Sequence, residues 1–247
     1  CKMMPIALKE LIIENRSIRT FDESVRFDRA TLASFVDCAR LSASARNAQT
    51  LKFRLVLEKD ETEALLALTR WAGDITDRKL PPAGGHPTAF IVICHDKNVS
   101  ESMNDFSAMD VGIAAQSVTL AAAEAGYGAC MIGSFSPEKC ASLLGLSENV
   151  LPRLLIALGK KAETVILCEA QDGNTKYFRN SANVHFVPKR SLDEIIPCTA
   201  RDFLSCELMI RYLRKVRYRF RLQAALFSRC SDQRDRRGYF HRHRECS

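Results

Sequence analysis

Arg16, Ser17 and Arg19 place two guanidinium groups and a hydroxyl within four residues, at the exit of a stretch patterned as a helix. Arg offers a planar fork of donors and Ser adds a short one, a set that suits a phosphate. The same residues also suit a solvated turn. A second run, Leu41-Ser42-Ala43-Ser44-Ala45-Arg46-Asn47-Ala48-Gln49, consists of small and amide side chains. Ser44, Asn47 and Gln49 can line a flat heteroaromatic ring, whose mixed donors and acceptors the amides match; an ordinary polar loop has the same composition. Lys189 and Arg190 stand just ahead of a capped helix start at Ser191, a place for an anion or simply two surface bases.

The elements that must position these residues follow from periodicity. Ile6 to Glu14, apolar at 6, 8, 11, 12 and 13, predicts an amphipathic first helix. Asp28 can cap a second, with Leu32, Phe35, Val36 and Ala39 on one face. Asp60 and Glu63 read as a capping box for a helix running to Trp71. The stretch from Met109 to Ala125 has almost no polar face, so it belongs inside a core, and Asp110, Gln116, Ser117, Thr119 and Glu124 argue against a membrane span. Its Gly112, Ala115, Ala121 and Ala122 would let other helices approach closely, as in the core of a dimer. Gly126 suits the left-handed position that ends a helix. From Gly128 to Gly133 the chain reads as a short strand whose backbone could press on a flat ligand.

Phe53–Leu57, Ala89–Cys94, Leu154–Leu158 and Val165–Glu169 read as strands, and Ser136-Pro137 as a helix start. Strands alternating with helices predict an α/β or α+β body with helices covering a sheet. The irregular connection from Asp74 to Thr88 is of the kind that often covers a pocket. His86, His95 and His185 form no relay, and surface or structural roles are expected for them. Trp71, Tyr177 and Phe178 are candidate pocket aromatics, with plain packing as the alternative.

Of 247 residues, 47% are hydrophobic, enough for a full core. The net charge of +7 is uneven: residues 1–197 carry 23 Lys+Arg against 24 Asp+Glu, and residues 198–247 carry 13 against 5. The expected division is therefore a body over 1–197 and a basic tail over 198–247. Met209, Leu213, Val216, Phe220 and Phe227 could share one face of a short amphipathic helix in that tail; an incidental or disordered extension is the favoured reading. Weak binding to anionic surfaces is the most it implies, with no specific nucleic-acid or membrane partner. Ten cysteines without a Cys-x-x-Cys pair argue against a metal site and a stapled fold. Buried reduced thiols and the absence of an apolar leader run point to a cytoplasmic protein.

The order of these motifs is more specific than any one of them. Arg-Ser-x-Arg after the first helix, Ser-Ala-Ser-Ala-Arg-Asn-Ala-Gln after the second, Asp-Val-Gly-Ile-Ala-Ala-Gln opening the apolar helix, Gly-Tyr-Gly-Ala-Cys-Met-Ile-Gly closing it, and a final Lys-Arg resemble the nitroreductase family of FMN-dependent oxidoreductases. The match spans about residues 6–197, and the Leu51–Phe53 and Trp71–Gly73 variants resemble an uncharacterised subgroup. The resemblance implies the α+β flavin fold of that family, a mixed central sheet covered by helices, in a homodimer with two FMN sites at the subunit interface, and ping-pong use of NADH or NADPH to reduce a small oxidant such as a nitroaromatic, quinone, enone or flavin. It assigns Arg16 and Ser17 to the phosphate and ribityl chain, and Arg19 to the edge of the flavin where charge favours the reduced form. Ser44, Asn47 and Gln49 would contact the cofactor, partly from the partner subunit. Met131, Ile132 and Gly133 would lie along the ring, and Lys189 and Arg190 would complete the phosphate site. No side chain is expected to act as a catalyst, since the cofactor carries the chemistry. The chain departs from the family at Asn15, often Arg; at Ala43, usually Pro; and at Thr50-Leu51, usually Pro-Trp. The altered wall motivates the alternative of a flavin-binding or sensing protein with little reductase activity.

Overall fold

The computed structural model describes residues 6–75 and 77–196. The tail expected over 198–247 lies outside them. The described residues up to Arg190 form one compact unit, and residues 191–196, which include α6 (Leu192–Ile195), are the described part of a second.

Strand β3 (Ala89–Asp96) is buried along its whole length, and the main sheet is laid on both of its edges. One edge pairs with β2 (Leu51–Val56) and the other with β5 (Val150–Lys161), both antiparallel. The far edge of β5 carries β4 (Tyr127–Ile132), and its end pairs with the two-residue β1 (Phe21–Asp22), again antiparallel. Parallel pairing enters at the isolated Ser17–Ala129 bridge and in a small second sheet. There β8 (His185–Lys189) runs parallel to β6 (Val165–Glu169) and antiparallel to β7 (Phe178–Arg179).

Because strand side chains alternate, β3 feeds two cores. Ala89, Ile91 and Ile93 face α2 (Arg29–Leu41) and α4 (Asp105–Glu124). Phe90, Val92 and Cys94 face the other core, which holds Leu65 of α3 (Lys59–Ala67) and Cys140 of α5 (Pro137–Leu143). Asp28 caps α2 by accepting the Thr31 N–H at 2.6 Å, and Leu32, Phe35 and Ala39 are its buried face, as the spacing predicts. The expected capping box on α3 does not form: Glu58 occupies the cap, Asp60 lies within the first turn, and the helix stops at Ala67. Thr69 bridges to Phe135 instead, which pulls the chain out of helix before Trp71.

Among the described residues α4 is the helix long and apolar enough to cross a membrane. It packs as a core helix on one side, burying Val111, Ala114, Ala115, Val118 and Ala122. The other side exposes Phe106, Met109 and Ile113, spaced three and four apart on one stripe. The first helix, α1 (Leu8–Glu14), buries no residue and exposes Leu8 and Ile12. Gly126, at φ +78°, ends α4 as expected.

Two further glycines serve packing. A Cβ on Gly159 would stand 2.6 Å from the Phe21 ring, and one on Gly128 would stand 2.8 Å from Ile18. Gly128 is thus pressed by Ile18 and, at 2.7 Å, by Lys161 of β5. The 74–88 connection is fastened to the segment that carries Ile18 and Phe21: Phe21 N–H donates to Gly85 C=O at 3.1 Å, and His86 N–H to Glu23 at 2.7 Å.

Candidate functional site

Two groups of the residues singled out by sequence are anchored on α4. Asn15 donates to the Thr119 hydroxyl at 2.9 Å, which fixes the segment carrying Arg16, Ser17 and Arg19. Nine residues earlier on the helix, the Asp110 carboxylate accepts the Ala45 N–H at 3.0 Å and fixes the turn carrying Ser44, Asn47 and Gln49. At 1.5 Å of rise per residue the two anchors lie roughly 14 Å apart along the helix.

In the first group Arg16 is half-buried. Its Nη2 donates to the Ile12 C=O, while its Nε is buried with no acceptor. Burial pushes its pKa down from the ordinary value, and among the described residues no carboxylate pairs with it. A buried guanidinium without an anion is costly, so the arrangement favours an anionic ligand. Ser17 is exposed beside it.

Ile18 N–H donates to Ala129 C=O at 2.9 Å, so Ala129 presents its main-chain groups to the outer edge of β4. Met131, two residues on, presents its own to the same edge, beyond the reach of that bridge. Its side chain is exposed, Ile132 turns into the core, and a Cβ on Gly133 would meet nothing within 4 Å. An open strand edge with a bare glycine at its end thus lies next to the Arg16–Arg19 segment.

Arg19 is held by groups that the sequence did not announce. Its N–H donates to Glu163, which also forms a buried ion pair with Arg179. Its Nη1 lies 3.2 Å from His185 Nε2 and 3.3 Å from the Ser17 C=O, and its guanidinium sits 4.9 Å from the centre of the Tyr177 ring. His185, expected at most as a structural residue, is buried against Arg19. Burial first, then the charges of Arg19 and Arg179, lowers its pKa to about 4. Of the candidate aromatics, Tyr177 joins this group. Phe178 stacks on Phe186, and Trp71 packs in the second core with its indole N–H on the Thr69 hydroxyl at 2.7 Å.

In the second group Arg46, Asn47 and Gln49 all have left-handed backbone, at φ 54°, 53° and 50°. Non-glycine residues pay for that conformation, and such strain clusters at functional sites. The Ser44 hydroxyl accepts the Gln49 N–H at 3.3 Å and closes the turn. Ser44 and Gln49 line a groove of about 380 Å³ between α2, β2 and α4, whose walls include Thr50, Phe53, Asp110 and Ile113. Asn47 and Gln49 are exposed.

Lys189 and Arg190 close β8, four and five residues beyond His185, and both are exposed. No group of three or more metal-ligating side chains occurs among the described residues.

The nitroreductase family model matches residues 12–160. The chain belongs to the nitroreductase family. A protein of Archaeoglobus fulgidus, provisionally named an NADH dehydrogenase/NAD(P)H nitroreductase, is 26% identical over 167 residues, which are 66% of this chain and 90% of that one. The fold is similar to an enone reductase of gut-bacterial fatty acid saturation, with a TM-score of 0.57 and 19% identity, covering 69% of this chain and 96% of that one. It is also similar to a provisionally named nitroreductase from Exiguobacterium sibiricum in complex with FMN, with a TM-score of 0.55 and 17% identity, covering 66% and 92%. Family and fold together support flavin-dependent oxidoreduction.

Proposed function

We propose that this protein is an FMN-dependent NAD(P)H oxidoreductase acting as a homodimer. The observation that carries the reading is Arg16, half-buried with an Nε and a charge that find no acceptor or carboxylate among the described residues, next to an open strand edge at Met131 and Gly133. These residues fit a phosphate-bearing, flat cofactor. Arg16 and Ser17 would hold the phosphate and the chain attached to it, with Lys189 and Arg190 completing that end. Arg19 would stand at the ring edge where negative charge develops on reduction. Met131, Ile132 and Gly133 would offer backbone to the ring, and the open space at Gly133 leaves room for it.

The separation along α4 supports a shared site. Ser44, Asn47 and Gln49 are anchored roughly 14 Å along the helix from the Arg16 segment, and they would reach the cofactor bound by the partner subunit. The stripe Phe106, Met109 and Ile113 supports pairing of this kind. Each such side chain is worth about 1.5–3 kcal/mol when fully buried, which favours covering them.

Bound FMN would supply the redox chemistry by a ping-pong route, taking electrons from NADH or NADPH and giving them to a small oxidant of the nitroaromatic, quinone, enone or flavin kind. The protein's part is orientation, exclusion of water and the positive charge of Arg19. The free buried thiols Cys94, Cys130 and Cys140 support a reducing, cytoplasmic setting.

Titration of FMN fluorescence against the wild-type protein and Arg16→Ala tests the reading. Saturable quenching by wild type, weakened roughly 10- to 100-fold in the variant, is expected for loss of a charged contact. Absence of binding by wild type, or equal binding by both, would overturn it.

A further inference from the structure

Arg19 is a cation with no acceptor atoms, so whatever lies within hydrogen-bond reach of its nitrogen must accept. His185 Nε2 lies there, at 3.2 Å. The proton of the neutral ring is therefore on Nδ1, which is buried and has no hydrogen-bond partner among the described residues. The Tyr177 ring packs on both members of the pair, with its centre 5.4 Å from that of the His185 ring and 4.9 Å from the Arg19 guanidinium carbon. Behind them Glu163 accepts the Arg19 N–H and pairs with Arg179, the register partner of His185 across β7 and β8. Main chain and side chain of Arg19 are thus both held by groups from residues 163–185.

We propose that His185 is the positioning residue for Arg19: its neutral Nε2 accepts from the guanidinium and, with the Tyr177 face, aims that charge at the reducible end of the bound flavin. The inference rests on the flavin reading above. A long, flexible guanidinium does not hold one direction unaided, since its rotamer freedom is worth about 2 kcal/mol. A neutral acceptor fixes direction without neutralising the charge, as a carboxylate would. That distinction matters at a site whose use for Arg19 is net positive charge. The groups around His185 are Arg19, Arg179, Glu163 and Tyr177; burial first, then the two guanidiniums, disfavours a charged ring, so the acceptor persists through the neutral pH range.

Two measurements on the full chain test this. The first needs no cofactor: long-range nitrogen–proton NMR of the histidine rings, assigned by His185→Gln, in wild type and in Arg19→Met. His185 is expected as the Nδ1–H tautomer in wild type and to shift toward the usual Nε2–H form in Arg19→Met. An Nε2–H ring in wild type, or a tautomer indifferent to Arg19, would overturn the contact.

The second reads the FMN-loaded protein. His185→Phe is expected to weaken FMN binding roughly tenfold and to lower the flavin midpoint potential. His185→Gln, whose amide oxygen can take the place of Nε2, is expected to restore both to within about threefold of wild type. In an Arg19→Met background neither substitution should change affinity or potential further. Equal losses in both backgrounds would reduce His185 to a packing role and overturn the proposal. If wild type takes up no FMN, the flavin reading falls and with it the purpose of the pair, whereas the tautomer result still decides whether the pair exists.

Discussion

The Asp110 carboxylate, buried in the apolar helix α4, accepts the Ala45 N–H at 3.0 Å across 65 residues of sequence. The bond ties the strained turn over 45–49 to the same helix that anchors Asn15, so α4 sets the spacing of both halves of the candidate site. Replacing Asp110 with Ala removes the acceptor and leaves the N–H without a partner. A loss of about 1–3 kcal/mol in chemical denaturation is expected, together with weaker FMN binding. Asn at this position keeps an acceptor and should recover most of both.

The exposed stripe on α4 leads to a second test. Ile113→Asp places a charge where the proposed interface would exclude water. Sedimentation or light scattering should give a dimer for wild type and mostly monomer for the variant, with FMN retention falling in parallel. A wild-type monomer that binds FMN would remove the shared-site argument.

His185 gives the protein a dependence on acidity whose sign is fixed. Its pKa is about 4 in the folded protein against an ordinary 6.5, so the unfolded chain binds more protons between those values. Stability is unaffected by this group above pH 6.5, falls as the pH drops through 6.5 toward 4, and is fully diminished below that. The loss amounts to at most about 3 kcal/mol. Urea denaturation at pH 7 and pH 5 should show a larger drop for wild type than for His185→Gln. The carboxylates are common to both proteins and cancel in the comparison.

The helices and their faces were legible because they depend on local spacing. Asp28 caps α2, Gly126 ends α4 and Ser136 starts α5 as written in the sequence. The Asp60–Glu63 box misled because Glu58 caps the helix two residues earlier and the Thr69–Phe135 bridge follows close after its end. Arg16, Ser17, Ser44 and Gln49 were legible as candidates by residue type and order. Asp110 and His185 were not, because each acts through a partner far away in sequence: His185 meets Arg19 across 166 residues. Their neighbours in the chain carry no trace of that meeting. The close packing at Gly128 was not legible for the same reason, since the Lys161 and Ile18 side chains that press on it come from other segments.

The central claim is best tested by the visible absorption spectrum of the FMN-loaded protein, recorded without oxygen before and after NADH or NADPH is added. The account predicts flavin bands that bleach on addition and return with a quinone or nitroarene. A protein that stays yellow would contradict oxidoreductase function and favour a binding or sensing role, and one that takes up no FMN would contradict the site itself.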